Sequence, residues 1–339
     1  MSLLLLPLRS LAFNAAAVIL LCAVTNISAA QELRLSYQQV ALQVSDLARS
    51  TDFYSRLFGL EPKRESMAAE FYLGAEVSFL LLQAPPATLP KIAWIGLAVE
   101  HQDSGEEDRR VSSAELEALL RRAGLSEGPV PQSIGLSAAS TYWSDSVGSA
   151  EALFFADGEG IPFRLLLDSC RACSSQPAGN GAITALGINH FTNFVSDAPR
   201  SNALMQELFG LGILSYQGPT APTLSLGDGR QFLMYFGAGD PQQPEAAGRT
   251  DHVSLAVADF DVTALQSRLE RLGIQAGSGA RPPQPLRHWL SMRMANRGGA
   301  QDGTPELYFS DPDGIAIQLQ DPSYCGGSGY LGDECPPLN

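Results

Sequence analysis

Two stretches decide the fold: VSDLARSTDFYSRLFGL at residues 44–60 and VSDAPRSNALMQELFGL at residues 195–211. They align without a gap at an offset of 195 − 44 = 151 residues, and a repeat of this kind organises everything around it. Each follows an alternating apolar run, the signature of a strand. Each then passes an aspartate, Asp46 or Asp197, suited to starting a helix, and closes an amphipathic segment at Gly59 or Gly210, suited to ending one.

Working outward, short β-like runs follow each predicted helix: AEFYLG and VSFLLLQ in the first half, PTLSLG and RQFLMYFG in the second. The pattern then restarts. AWIGLAVE (93–100) precedes the helical SSAELEALLRRAGL, and DHVSLAVAD (251–259) precedes VTALQSRLERLGI. Apolar strands close both halves, in ALFFADGEGIPFRLLLD and ELYFSDPDGIAIQLQD. Strand–helix–three strands therefore occurs four times. The fold class is α+β, with two domains that are each a pair of βαβββ modules forming a curled mixed β-sheet. The expected boundaries are 31–173 for the first domain, 174–186 for a linker, 187–322 for the second domain and 323–339 for a cysteine-containing tail.

The chain of 339 residues is 45% hydrophobic and 17% charged, a globular composition whose length suits two cores. Its net charge of −14 argues against nucleic acid or an anionic membrane as partner. Residues 1–30 read as a signal peptide: Arg9, an apolar run from Leu11 to Val24, then Ser28-Ala29-Ala30. Export with cleavage is the expectation, and an uncleaved anchor is the alternative. Cys170, Cys173, Cys325 and Cys335 follow the leader, and an even number in an exported protein favours disulfides. The local pairings Cys170–Cys173 and Cys325–Cys335 are preferred, with a redox CRAC pair or a zinc site as the other readings.

VSDLARSTDFYSRLFGL, DHVSLAV and FSDPDGIAIQL together resemble the vicinal oxygen chelate superfamily, which includes glyoxalase I, bleomycin-resistance proteins and extradiol dioxygenases. The resemblance spans nearly the whole chain after the leader. It implies paired βαβββ modules curled into a cup, and it leaves the reaction open because one scaffold hosts many chemistries. It also implies where metal ligands sit. His190 in HFTNFV and His252 in HVSLAV occupy the His-x-x-x-x-Val position, and Gln318 stands on the last strand where a carboxylate is usual. Two imidazoles and an oxygen donor form one face of an octahedron. A neutral amide weakens metal binding but raises the Lewis acidity of the bound ion. The position of a fourth ligand in glyoxalase-like members falls near Met234, which is no carboxylate. Tyr308 matches the tyrosine that extradiol enzymes place against substrate, with an ordinary strand aromatic as the alternative.

The resemblance therefore implies one divalent metal, Fe(II) favoured with Mn, Zn or Ni as alternatives, and a small-molecule substrate chelated through vicinal oxygens. Dioxygenase-like oxidation is the preferred chemistry; a glyoxalase-like isomerase or lyase and a metal-free ligand-binding protein are the rivals. A homodimer is allowed. In the first half the matching positions are Gln39, Trp94 and Arg164, so that half is expected to be metal-free and Gln39 to lack partners there. His101 reads as a solvated-loop residue. The segment 280–303 gathers Arg281, Arg287, Arg293 and Arg297 around His288 and Trp289. It reads mainly as a surface loop or hairpin with paired arginines; the alternative is a basic cluster that meets an anionic or phenolic substrate, with His288 as acid or base.

Overall fold

The computed structural model describes residues 33–74, 77–101, 111–129, 140–147, 150–167, 180–217, 221–227, 229–237, 248–277 and 284–327. The expected leader and Cys170, Cys173, Cys335 and Arg281 lie outside them. Among the described residues, no helix is long and apolar enough to cross a membrane.

The first half runs β1 (Leu33–Val44), α1 (Leu47–Phe58), β2 (Lys63–Glu65), β3 (Ala68–Leu73) and β4 (Val77–Gln83). It continues through β5 (Lys91–His101), α2 (Ser113–Arg122), β6 (Ser126–Glu127), β7 (Thr141–Val147), β8 (Ala150–Ala156) and β9 (Pro162–Leu166). The second half repeats the order: β10 (Ala185–Phe194), α3 (Ala198–Phe209), β11 (Ile213–Tyr216), β12 (Pro222–Leu226) and β13 (Gln231–Phe236). Then come β14 (Arg249–Val257), α4 (Val262–Arg271), β15 (Gln275–Ala276), β16 (Arg287–Arg293), β17 (Thr304–Ser310) and β18 (Ala316–Gln320). Each half forms one nine-stranded mixed sheet, ordered β2-β3-β4-β1-β5-β9-β8-β7-β6 and β11-β12-β13-β10-β14-β18-β17-β16-β15. The module order is as read, with one extra two-residue strand in the second and fourth modules.

The repeated helices form for the same local reasons. Asp46 and Asp197 each accept a hydrogen bond from the backbone N–H three residues on, at 3.0 Å, and Gly59 and Gly210 close the helices at φ 66°. A side chain at Gly59 would also meet the Gly181 backbone at 2.2 Å, so a connection between the halves crosses there without room for a Cβ.

One apolar cluster takes in the helix-facing sides of both sheets and the buried residues of all four helices. Phe53 of α1 lies 6.4 Å from Phe309 of β17, and Phe155 of β8 lies 5.9 Å from Phe209 of α3. The halves also clasp one another reciprocally. Asp313, in the turn before β18, accepts from Ser45 N at 2.9 Å, from the Ser45 hydroxyl and from Arg49. Glu159, in the matching turn before β9, accepts from Ser196 N at 2.9 Å, the Ser196 hydroxyl at 2.5 Å and Asp197 N at 3.2 Å. Each half thus supplies the acid that ties down the helix entry of the other.

One expectation is met and one changes. Segment 280–303 carries the first strand of a hairpin, as one of its readings had it: residues 287–293 form β16, paired antiparallel with β17. His101 ends strand β5, and its side chain is only 5% exposed, beside Glu115 of α2.

Candidate metal centre

The face of the second sheet away from the helices carries His190 on β10, His252 on β14 and Gln318 on β18. Register places them side by side: His190 pairs with Ser254, and Ser254 pairs with Gln318. All three are buried, at 1%, 4% and 0% exposure. The sheet curls strongly around them. Gln217, next to β11, donates to the Tyr324 hydroxyl at 3.2 Å, and that hydroxyl donates to Glu306 on β17 at 3.1 Å. Those strands are six spacings apart, roughly 29 Å in a flat sheet at about 4.8 Å each, yet one tyrosine bridges them.

The two imidazoles face each other, Nε2 to Nε2, at 3.3 Å. Their other nitrogens are held by acceptors. His190 Nδ1 lies 2.8 Å from Asn189 Oδ1, and His252 Nδ1 lies 2.7 Å from Asp251 Oδ2. Asn189 cannot be turned the other way, because its Nδ2 donates to the Tyr324 carbonyl at 2.7 Å. Both Nδ1 atoms therefore carry the proton, and both Nε2 atoms present lone pairs to the same point. Two lone pairs at that distance repel unless a cation lies between them. A separation of 3.3 Å is what two nitrogens about 2.1 Å from a common ion subtend at about 100°.

Asn189 and Asp251 reach their neighbours because of β-bulges. Adjacent strand residues ordinarily point to opposite faces. Between β10 and β14 the register passes from Ile188–Leu255 to His190–Ser254, skipping Asn189, and from Thr192–His252 to Asn193–Thr250, skipping Asp251. Each acceptor is the extra residue of a bulge, which re-aims its side chain. The NH and DH dipeptides are the sequence signal that was missed.

Gln318 completes the fit. Its Oε1 and Nε2 are both buried without a well-formed hydrogen bond, although the amide is near enough to His190 to favour protonation there. Burial, then the charges of His252 and Arg293, outweigh that and hold the His190 pKa well below its ordinary value. His190 is thus a neutral imidazole at neutral pH, the form that ligates metal. Among the described residues, no three or more histidine, cysteine, aspartate or glutamate side chains gather as a metal cluster. The candidate set is two imidazoles and an amide. Met234, at the fourth position, is fully buried with Phe232, Tyr324 and Cys325 and itself offers no oxygen.

Tyr308 shares this face. Its ring lies 5.3 Å from that of His252, stacks on Trp289 at 5.3 Å, and its hydroxyl is 3.4 Å from Glu306 Oε2. His288 does not join them. It pairs with Phe309 on the helix-facing side, where it is 3% exposed and sits 3.3 Å from Glu270 of α4. Strand alternation turns Trp289 toward the candidate centre and His288 away, so His288 is not placed to exchange protons there. Of the arginines, Arg293 is buried on the site face, and Arg297 stands in a 3-10 turn at residues 295–297. Arg293, Glu306 and Tyr324 were not singled out together by sequence reasoning, since nothing in their spacing joins them.

The first half brings its matching residues together as well, and Gln39 does have partners. Its Oε1 accepts from Trp94 Nε1 and Arg164 Nη1, both at 2.8 Å, and its Nε2 donates to Ser78 Oγ at 3.1 Å. The bulges recur, at Gln38 and Ala93. A guanidinium stands where the second half aims lone pairs.

Residues 36–121 match the Glyoxalase/Bleomycin resistance protein/Dioxygenase superfamily. No curated protein sequence matches the chain. Among solved structures, homoprotocatechuate 2,3-dioxygenase from Brevibacterium fuscum in complex with 3,4-dihydroxyphenylacetate is 15% identical with a TM-score of 0.61, over 91% of this chain and 89% of that one. Homoprotocatechuate 2,3-dioxygenase from Arthrobacter globiformis is 17% identical with a TM-score of 0.58, over 92% and 85%. A Mn(II)-bound glyoxalase from Novosphingobium aromaticivorans is 17% identical with a TM-score of 0.56, over 85% and 82%. At these identities the likeness is one of fold.

Proposed function

We propose that the second half holds one divalent metal through His190, His252 and Gln318 and oxidises a small aromatic diol in a dioxygenase-like reaction, a reading supported by the superfamily match over residues 36–121 and by the fold shared with two dioxygenases and a glyoxalase. The observation that carries this reading is the pair of Nε2 lone pairs aimed at one point, 3.3 Å apart, beside an orphaned buried amide. Fe(II) is the favoured ion. When bound, it supplies Lewis-acid chelation of adjacent substrate oxygens and an open position for O2.

The chain's own residues do the rest. Asn189 and Asp251 keep both imidazoles in the ligating tautomer. Tyr308 offers its hydroxyl to a substrate oxygen, with Trp289 stacked behind it. Phe232, stacked on His190 at 4.3 Å, and Tyr324 exclude water from one side. The domain boundaries, the exported location after cleavage near residue 30, and the Cys325–Cys335 pairing belong to the same proposal. Cys325 itself is fully buried beside Tyr324.

A glyoxalase-like isomerase is the second reading, favoured by the amide of Gln318 where a carboxylate is usual. Elemental analysis and oxygen uptake test both. Protein purified without chelator should carry about one equivalent of metal, the His252→Ala variant little, and a catechol should drive oxygen consumption by wild type only. Full occupancy in His252→Ala would end the proposed ligand set; turnover without oxygen uptake would favour the isomerase.

A further inference from the structure

Arg293 of β16 and Glu306 of β17 form a buried ion pair on the same sheet face as the candidate centre. Arg293 Nε donates to Glu306 Oε1 at 2.7 Å and Nη2 lies 2.5 Å from the same oxygen, with side chains 6% and 5% exposed. Glu306 also takes the Tyr324 hydroxyl at 3.1 Å and the Tyr308 hydroxyl at 3.4 Å. One carboxylate therefore gathers a guanidinium and two phenols. Burial works against the Arg293 charge, but Tyr324, Glu306 and Tyr308 around it more than offset this and raise its pKa. Tyr308, whose hydroxyl lies 3.4 Å from Glu306, has its ring 5.3 Å from that of His252, so the pair adjoins the candidate ligands. Arg293 Nη1 is buried and makes no hydrogen bond.

A buried arginine beside the aromatic rings of the proposed site would ordinarily receive an anionic substituent of a substrate. Here that capacity is already taken by the protein's own carboxylate. A second carboxylate brought beside Glu306 would meet like-charge repulsion in a poorly solvated place, a costly arrangement. The N–H groups of Nη1 remain, suited to a neutral acceptor such as a carbonyl, ether or hydroxyl oxygen. We propose that Glu306 is the specificity-determining residue of this site, an internal counter-carboxylate on Arg293 that restricts the substrate to uncharged hydroxylated aromatics and refuses carboxylated ones. This rests on the aromatic-diol reading above for the substrate's ring, but not on the metal.

The test is calorimetric titration, without oxygen, of the full chain with two probes matched in shape: 3,4-dihydroxyphenylacetate and 3,4-dihydroxyphenylacetamide. Wild type should bind the amide at least tenfold more tightly. Glu306→Gln should shrink or invert that ratio by at least tenfold, as Arg293 becomes available to the acid; thermal melting checks that it folds. Glu306→Ala, which leaves Arg293 charged without its counter-carboxylate, should move the ratio in the same direction and gives a second measurement if Glu306→Gln is unstable. Equal or tighter binding of the acid by wild type overturns the proposal. So does an unmoved ratio in a folded Glu306→Gln or Glu306→Ala, or no binding of either probe. Metal content is measured on the same samples. Protein with no metal but a ratio that depends on Glu306 would end the metal reading and leave this one standing.

Discussion

Asn189 and Asp251 fix the imidazole tautomer on which the proposed metal ligation by His190 and His252 depends. Without an acceptor at Nδ1, each imidazole is free to place its proton on Nε2, the nitrogen that must stay bare. Partners of this kind typically govern metal affinity by 10–100-fold. Asp251→Leu should therefore weaken metal binding by about that factor, while Asp251→Asn, which keeps an acceptor but loses a charge, should lose less; competition with a chromogenic chelator measures both. The histidines were legible from the His-x-x-x-x-Val spacing. Their supports were not, because strict alternation sends residues 189 and 251 to the opposite face, and only the bulges bring them back.

At the scale of the element, β16 shows why a residue cluster in sequence is not a cluster in space. His288 and Trp289 are neighbours, yet one packs toward α4 and the other stacks on Tyr308. His288→Ala should cost about 1–2 kcal/mol of stability and leave metal content and ligand affinity unchanged. Trp289→Ala should barely alter metal content but weaken catechol binding up to about tenfold, since ring stacking contributes about 0.5–1.5 kcal/mol. Melting curves beside titrations separate the two; a ligand effect in the His288 variant would contradict its placement. The repeated helices were legible because cap residues act locally, through Asp46, Gly59, Asp197 and Gly210. The facing of β16 was not, because its parity depends on pairing with β17, a relation across some fifteen residues that no local pattern encodes.

Across the whole molecule, the reciprocal clasps set a pH response. Asp157 and Asp311 sit in the two clasping turns, and burial raises each carboxyl from 3.8 to about 6. A carboxyl whose folded pKa exceeds its unfolded one binds protons more readily when folded. Its contribution to stability is greatest below about pH 4 and falls as pH rises toward 6. For Asp311 the change amounts to about 3 kcal/mol at most. Asp311→Asn keeps an acceptor for the backbone N–H groups of Asp313 and Ile315 and cannot titrate. Denaturant titrations between pH 4 and 7 should therefore show a flatter profile for the variant than for wild type; parallel profiles would count against this assignment. The repeat revealed that there are two halves, but the exchange of Asp313 and Glu159 between them depends on how the halves meet, which lies beyond any one segment.

Arg164, bonded to Gln39, gives the first half a positive charge that is part of the polypeptide. No chelator can extract it and no scarcity of metal can leave it missing. Under the proposed function the second half, at the matching place, borrows its charge from solution. Duplicated architecture is then divided into a self-sufficient partner and a dependent one, and the clasps couple the two. The self-sufficient sheet can act as a standing template on which its twin stays organised between one ion leaving and the next arriving.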